Sequence, residues 1–168
     1  MTTIFDDLLA TNKVCAASYD GAGLSRTPAR HLAIVTCMDT RIDPIGQLGL
    51  KRGDAHILRN AGGRVNDDAL RSLVLSVQLL GVRAIAVIGH TDCATAKITN
   101  DSVRATLIEK GVDPAVVTDL DVHPVGDQKQ AIRDDLALLA ASPLLPHDLA
   151  LAGFIFDVET GELEPVSS

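Results

Sequence analysis

The chain has 168 residues, a formal charge of −7, 46% hydrophobic residues and only four aromatics, Phe5, Tyr19, Phe154 and Phe156. That charge excludes a basic nucleic-acid surface and docking on anionic membranes, and the apolar content excludes a disordered chain. No apolar run approaches the roughly 20 residues of a membrane-spanning helix, and a core of small aliphatics suits a parallel sheet covered by helices.

Residues 3–17 predict a helix, with Ile4, Leu8, Leu9 and Val14 near helical spacing. Cys15 lies in it and is expected to be a packing residue. Asp6 and Asp7 stand where a secretory leader would carry basic residues. Three widely spaced cysteines, Cys15, Cys37 and Cys93, make a poor disulfide framework. Both features point to a cytoplasmic protein.

After a loop through Pro28, "HLAIVT" at 31–36 reads as a buried strand and "DAHIL" at 54–58 as a shorter one, with "RNAGGRVND" a loop. A helix over 67–80 starts at the N-cap Asn66, with Asp67 and Asp68 at the positive end of its dipole. Leu70, Leu73, Val74, Val77 and Leu80 share one face, and Gly81 ends it. "RAIAVI" at 83–88 is a third strand running into Gly89-His90. Helices are expected near 101–110 and 128–141, with a short one starting at Asp113-Pro114. Residues 149–158 form a last strand, and a turn at 159–162 leads into a short closing strand. Strands alternating with helices, with no linker or repeat, predict one α/β domain over 1–168. Its sheet is mostly parallel and flanked by helices, with an N-terminal helix and a C-terminal edge strand.

Function in such sheets gathers beyond the carboxyl ends of the strands. Cys37 and the pair His90 and Cys93 arrive at that edge from two strands. Singly, each has a plainer reading. A cysteine at a strand end is usually buried packing, a His-x-x-Cys recurs by chance, and an Asp-x-Arg is usually a solvated pair. Together they make a zinc site with three protein ligands and one open position, whose Lewis acidity activates water near neutral pH. Two thiolates donate charge, so activity is expected to favour alkaline pH. In an extended segment Cys37, Asp39 and Arg41 would face the same side. Arg41 would then hold Asp39 beside the metal, and Asp39 would accept a proton there. If that pair broke, Asp39 could close the fourth position. A cysteine phosphatase is excluded, because the place of its loop arginine is Asp43.

These residues resemble the β-carbonic anhydrase family, whose signatures are Cys-x-Asp-x-Arg and His-x-x-Cys. Here they are Cys37-Met38-Asp39-Thr40-Arg41 and His90-Thr91-Asp92-Cys93. "RNAGGRV" at 59–65 looks like the family's Asn-Ala-Gly loop, and "GHTDC" and "DVETGEL" are also similar. The similarity covers most of 31–98 and the final strand and is weak over 100–145. It implies zinc-dependent, reversible hydration of carbon dioxide to bicarbonate and a proton. Cys37, His90 and Cys93 would be the zinc ligands, Asp39 and Arg41 the catalytic orienting dyad, and the Gly63 N–H a substrate-positioning group. It also implies a homodimer or homotetramer in which the N-terminal helix embraces a partner. Two alternatives stay open: a zinc hydrolase of carbon disulfide or carbonyl sulfide, and a non-enzymatic metal-holding module whose zinc Asp39 closes. None of His31, His56, His123 and His147 stands out as a proton shuttle.

Overall fold

In the computed structural model, which describes residues 3–167, a five-stranded sheet has the order β2-β1-β3-β4-β5. The strands are β1 (Leu32–Cys37), β2 (Ala55–Asn60), β3 (Ala84–His90), β4 (Ala150–Phe156) and β5 (Leu163–Val166). The first four are parallel, and β5 returns antiparallel to β4. The helix α1 (Ile4–Ala16) precedes them, and between them run α2 (Pro44–Gln47), α3 (Asp67–Gln78), α4 (Asn100–Glu109), α5 (Pro114–Val117) and α6 (Gln128–Ala141).

The side chains of each strand alternate between two apolar layers. Ala33, Val35, Ile85, Val87 and Ile155 point into a layer shared with Leu73 of α3 and with Ile132 and Leu139 of α6. Ile34, Ile88 and Phe156 point to the other face, where Ile42, Ile45, Leu48 and Leu50 cover β1. That second cover stops short. Over β3 and β4 the face is an open apolar groove in which Ala84, Ala86 and Phe154 are half-buried and Ala152 is exposed.

The α3 helix follows its expected signals: the Asn66 side chain accepts from the Ala69 N–H, and Gly81 takes φ +73° just beyond it. It ends at Gln78, two residues earlier than the periodicity suggests. The β1 strand starts one residue late because His31 has φ +51°, which extended pairing does not allow. It continues through Cys37, which pairs with Asn60, so Arg59 and Asn60 belong to β2 rather than to the loop. The α2 helix was not anticipated, although Asp43-Pro44 carries the same cap-and-proline signature as Asp113-Pro114. Cys15 is a correction. It is exposed, because α1 buries none of its residues within the chain.

Helix α6 sits close to the sheet because two neighbouring strands carry glycines beneath it. A Cβ at Gly153 would lie 2.4 Å from Ile132 Cγ2, and one at Gly89 3.2 Å from Ile132 Cδ1. Gly153→Ala is therefore expected to lower stability by about 1–3 kcal/mol, through overpacking. The urea unfolding midpoint reads this.

Candidate metal centre

The order β2-β1-β3 makes β1 the strand from which the chain first moves outward and then returns on the other side. This is the topological switch point at which α/β sheets place their ligands. The carboxyl ends of β1 and β3 deliver Cys37 and His90 there, and Cys93 follows after a tight turn in which Asp92 has φ +54°. All three are buried, at 4%, 1% and 3% exposure, and their ligand atoms lie within 4.8 Å of one another. No other such cluster exists among the described residues.

The donor set fits zinc. The two Sγ atoms lie 4.0 Å apart, close to the about 3.8 Å that two zinc–sulfur bonds span at a tetrahedral angle. The Thr91 carbonyl lies 2.9 Å from His90 Nδ1 and can only accept, so Nδ1 is the donor there and Nε2 is the ring nitrogen left for a metal. Nε2 is, among the described residues, the one buried side-chain nitrogen or oxygen with no hydrogen-bond partner. An unpartnered buried acceptor beside two sulfurs is what a cation site requires. The Thr95 hydroxyl lies 3.0 Å from Cys93 Sγ, where it can donate to a thiolate.

Asp39 and Arg41 meet, but not by strand alternation. The strand ends at Cys37, and residues 39–42 form a turn in which the Ile42 N–H donates to the Asp39 carbonyl. An aspartate in a turn caps the N–H two residues on, and Arg41 N–H donates to Asp39 Oδ1 at 2.9 Å. The guanidinium then closes on the same carboxylate, Nε to Oδ1 at 3.0 Å and Nη2 to Oδ2 at 2.8 Å. These bonds, those of the guanidinium first and the backbone N–H second, hold the Asp39 carboxyl well below the usual carboxylate range. Oδ1 is used twice and Oδ2 once. Oδ2 therefore keeps a lone pair, and it lies 4.0 Å from His90 Nε2.

Several supporting residues escaped the sequence reading. Arg59 donates from β2 to the carbonyls of Cys37 (3.0 Å) and Asp39 (2.7 Å). Asp92 accepts from Lys97 and from Arg41, and these bonds, Lys97's foremost, lower its pKa. Asn60 brackets the glycine loop, accepting from the Arg64 N–H and donating to its carbonyl. Arg59 and Asn60 open the "RNAGGRV" stretch, and Asp92 lies inside "HTDC". Asp135 had no signal. It is 3% exposed, and it accepts from Arg64 Nε and Nη2, both at 2.9 Å, and from the Val65 N–H. Gly63 lies against the metal strand: with φ +67°, a Cβ would sit 2.9 Å from Cys37 N. It lines a cavity of about 10 Å³ together with His90, Cys93, Gln128 and Asp135, room for about one water; Asp39 and Arg41 do not line it.

A family model described as carbonic anhydrase matches residues 32–163. Beta-carbonic anhydrase 1 of Mycobacterium tuberculosis is 40% identical over 166 residues, 98% of this chain and 99% of its own. The chain belongs to the β-carbonic anhydrase family. A carbonic anhydrase structure from Streptococcus mutans superposes with a TM-score of 0.93 at 42% identity, covering 99% of both chains. A carbon disulfide hydrolase from Acidianus is 34% identical over 158 residues, 80% of this chain and 76% of its own. Residues 100–145, where the motifs are faint, thus fall inside the β-carbonic anhydrase match, and α6 brings Asp135 to the site from there.

Asp135→Ala would leave Arg64 without its carboxylate and the Val65 N–H unbonded. It is expected to destabilise the chain by about 3 kcal/mol, the scale for breaking a buried pair. Thermal and urea unfolding of the metal-free protein measure it.

Proposed function

We propose that the chain hydrates carbon dioxide reversibly to bicarbonate and a proton at Cys37, His90 and Cys93, with zinc as cofactor. The observation that carries this reading is the unpartnered, buried His90 Nε2, set beside two sulfurs and facing the free lone pair of Asp39 Oδ2. Zinc held by these three residues supplies a Lewis acid that makes a nucleophile of water near neutral pH.

The chain's own residues do the rest. Asp39 is ionised, so it accepts and does not donate. An oxygen beside the three ligand atoms bonds to Oδ2 only if it carries a proton. That bond turns its remaining lone pair toward the substrate and discriminates against anions that have no proton to give. Arg41 keeps both carboxylate oxygens engaged, so Asp39 stays off the metal position and the site stays open. Gly63 brings its loop against Cys37, and its N–H is assigned to positioning the substrate, on the ground of that close approach to the strand that carries a metal ligand.

Two wider readings accompany the proposal. Thiols 4.0 Å apart would be prone to oxidation to a disulfide in an oxidising compartment, which favours the cytoplasm. The chain also assembles at least as a homodimer, with α1 of one copy laid on the open sheet groove of the other. Ile4, Phe5, Leu8 and Leu9 of α1 are 61–71% exposed, and the groove over Ala86, Ala152 and Phe154 is equally apolar.

Stopped-flow assays of the zinc-loaded chain against carbon dioxide, carbonyl sulfide and carbon disulfide test the reaction. Carbon dioxide hydration is expected to dominate. Cys37→Ser should lose zinc and rate together, and Asp39→Ala should keep one zinc per chain and lose about 10²-fold or more in kcat. Preferential turnover of a sulfur compound would move the assignment to the hydrolases. A double substitution, Leu8→Asp with Leu9→Asp, is expected to shift the sedimentation coefficient to that of a monomer.

A further inference from the structure

Arg41 serves two aspartates. Besides its bonds to Asp39, it donates Nη1 to Asp92 Oδ2 at 3.0 Å and Nη2 to the Asp92 carbonyl at 3.1 Å. Four of its five N–H groups are therefore engaged, on two different edges of the guanidinium plane. The second engagement matters because the Arg41 side chain is 41% exposed. An arginine so accessible to water gains little from any one carboxylate, about 0–1 kcal/mol for a typical surface pair, and Asp92 (54% exposed) and Lys97 (69% exposed) count here as members of a network rather than as strong pairs. Asp39 is also only two residues away, on the same turn, so the two could swing out together. Asp92 stands on the other motif, at the end of β3, and ties the turn to it.

Asp92 is equipped for this task. Its left-handed backbone turns its own carbonyl to Arg41, while the preceding carbonyl, of Thr91, accepts from His90 Nδ1. Its other carboxylate oxygen, Oδ1, accepts from Lys97 Nζ. Two carboxylates thus share two cations. Lys97 neutralises Asp92, so Asp92 can orient Arg41 without drawing it off Asp39.

We propose that Asp92, balanced by Lys97, is a positioning residue for the reaction: it fixes the Arg41 guanidinium plane and through it keeps Asp39 Oδ2 aimed at the metal ligands. The proposal rests on the reading of the site given above.

The clean variant is Asp92→Asn. Asparagine tolerates positive φ and retains the backbone carbonyl, but it gives up the charge. Two readouts are needed on the full chain. The first is a double-mutant cycle on the zinc-loaded enzyme. Asp92→Asn alone is expected to lower kcat about tenfold with KM and zinc content unchanged, and to add less than about twofold in an Arg41→Ala background. The second is the exchange of the Arg41 Nε–H with water, followed by nitrogen-resolved NMR in metal-free and zinc-loaded protein. It should accelerate at least about fivefold in Asp92→Asn. Lys97→Met should move both readouts the same way, because Asp92 then competes with Asp39 for Arg41.

Equal losses from Asp92→Asn with and without Arg41, or an unchanged Nε–H exchange, would overturn the proposal and leave Asp92–Lys97 an ordinary surface pair. Failure of the underlying reading looks different: the wild type or Arg41→Ala would show no deficit or no hydration to compare, while the Nε–H exchange would still decide whether Asp92 holds Arg41.

Discussion

A single buried nitrogen sets the terms for this molecule. His90 Nε2 is cut off from water and has no hydrogen-bond partner among the described residues, a condition that costs on the order of 1–3 kcal/mol unless a ligand relieves it. The imidazole cannot escape by flipping, because its other nitrogen is committed to the Thr91 carbonyl. Thr91 is itself tied to β4, through its N–H to Phe156 O and its hydroxyl from the Val158 N–H. The central strands are therefore organised to hold an open valence at one point. Cys37 and Cys93 complete the place where that valence is met.

Around this point the chain uses backbone carbonyls as handles. Arg59 grips those of Cys37 and Asp39, Arg41 grips that of Asp92, and Asn60 brackets the glycine loop. The turn after β1 is thereby fastened both within itself, by Arg41 to Asp39, and to its neighbours, by Arg59 from β2 and by Arg41 to Asp92. That is how side chains carried on short irregular segments are held to the precision a reaction needs. The α6 helix extends the scheme from the far end of the sequence, with Asp135 fixing the glycine loop from below and Ile132 seated over two glycines.

Much of this was legible in the residues. The alternation of strand and helix, the caps of α3, and the arrival of Cys37 and His90 at the same edge of the sheet follow from periodicity and local chemistry alone; that their strands are neighbours does not. Other parts were not, for identifiable reasons. Strand alternation suggested that Cys37, Asp39 and Arg41 face one way; they do meet, but because aspartate favours a turn over an extended chain once β1 has ended. Asp92 was within a quoted motif, yet its partner Arg41 is 51 residues distant, and local patterns carry no information on such pairs. Asp135 is further still, and a lone aspartate on an amphipathic helix looks like any solvated charge until α6 is docked.

The N-terminal helix carries an implication for how the molecule comes together. It has 13 residues, a capping box at Thr3 and no buried side chain. Helices of about 12–15 residues are marginal by themselves in water. Its order then depends on what lies across it, so in the proposed dimer the coil-to-helix transition of the arm and the association of subunits are one equilibrium. Dilution would melt the arm as it separates the copies, and folding at this end of the chain would be a property of the population rather than of the single molecule.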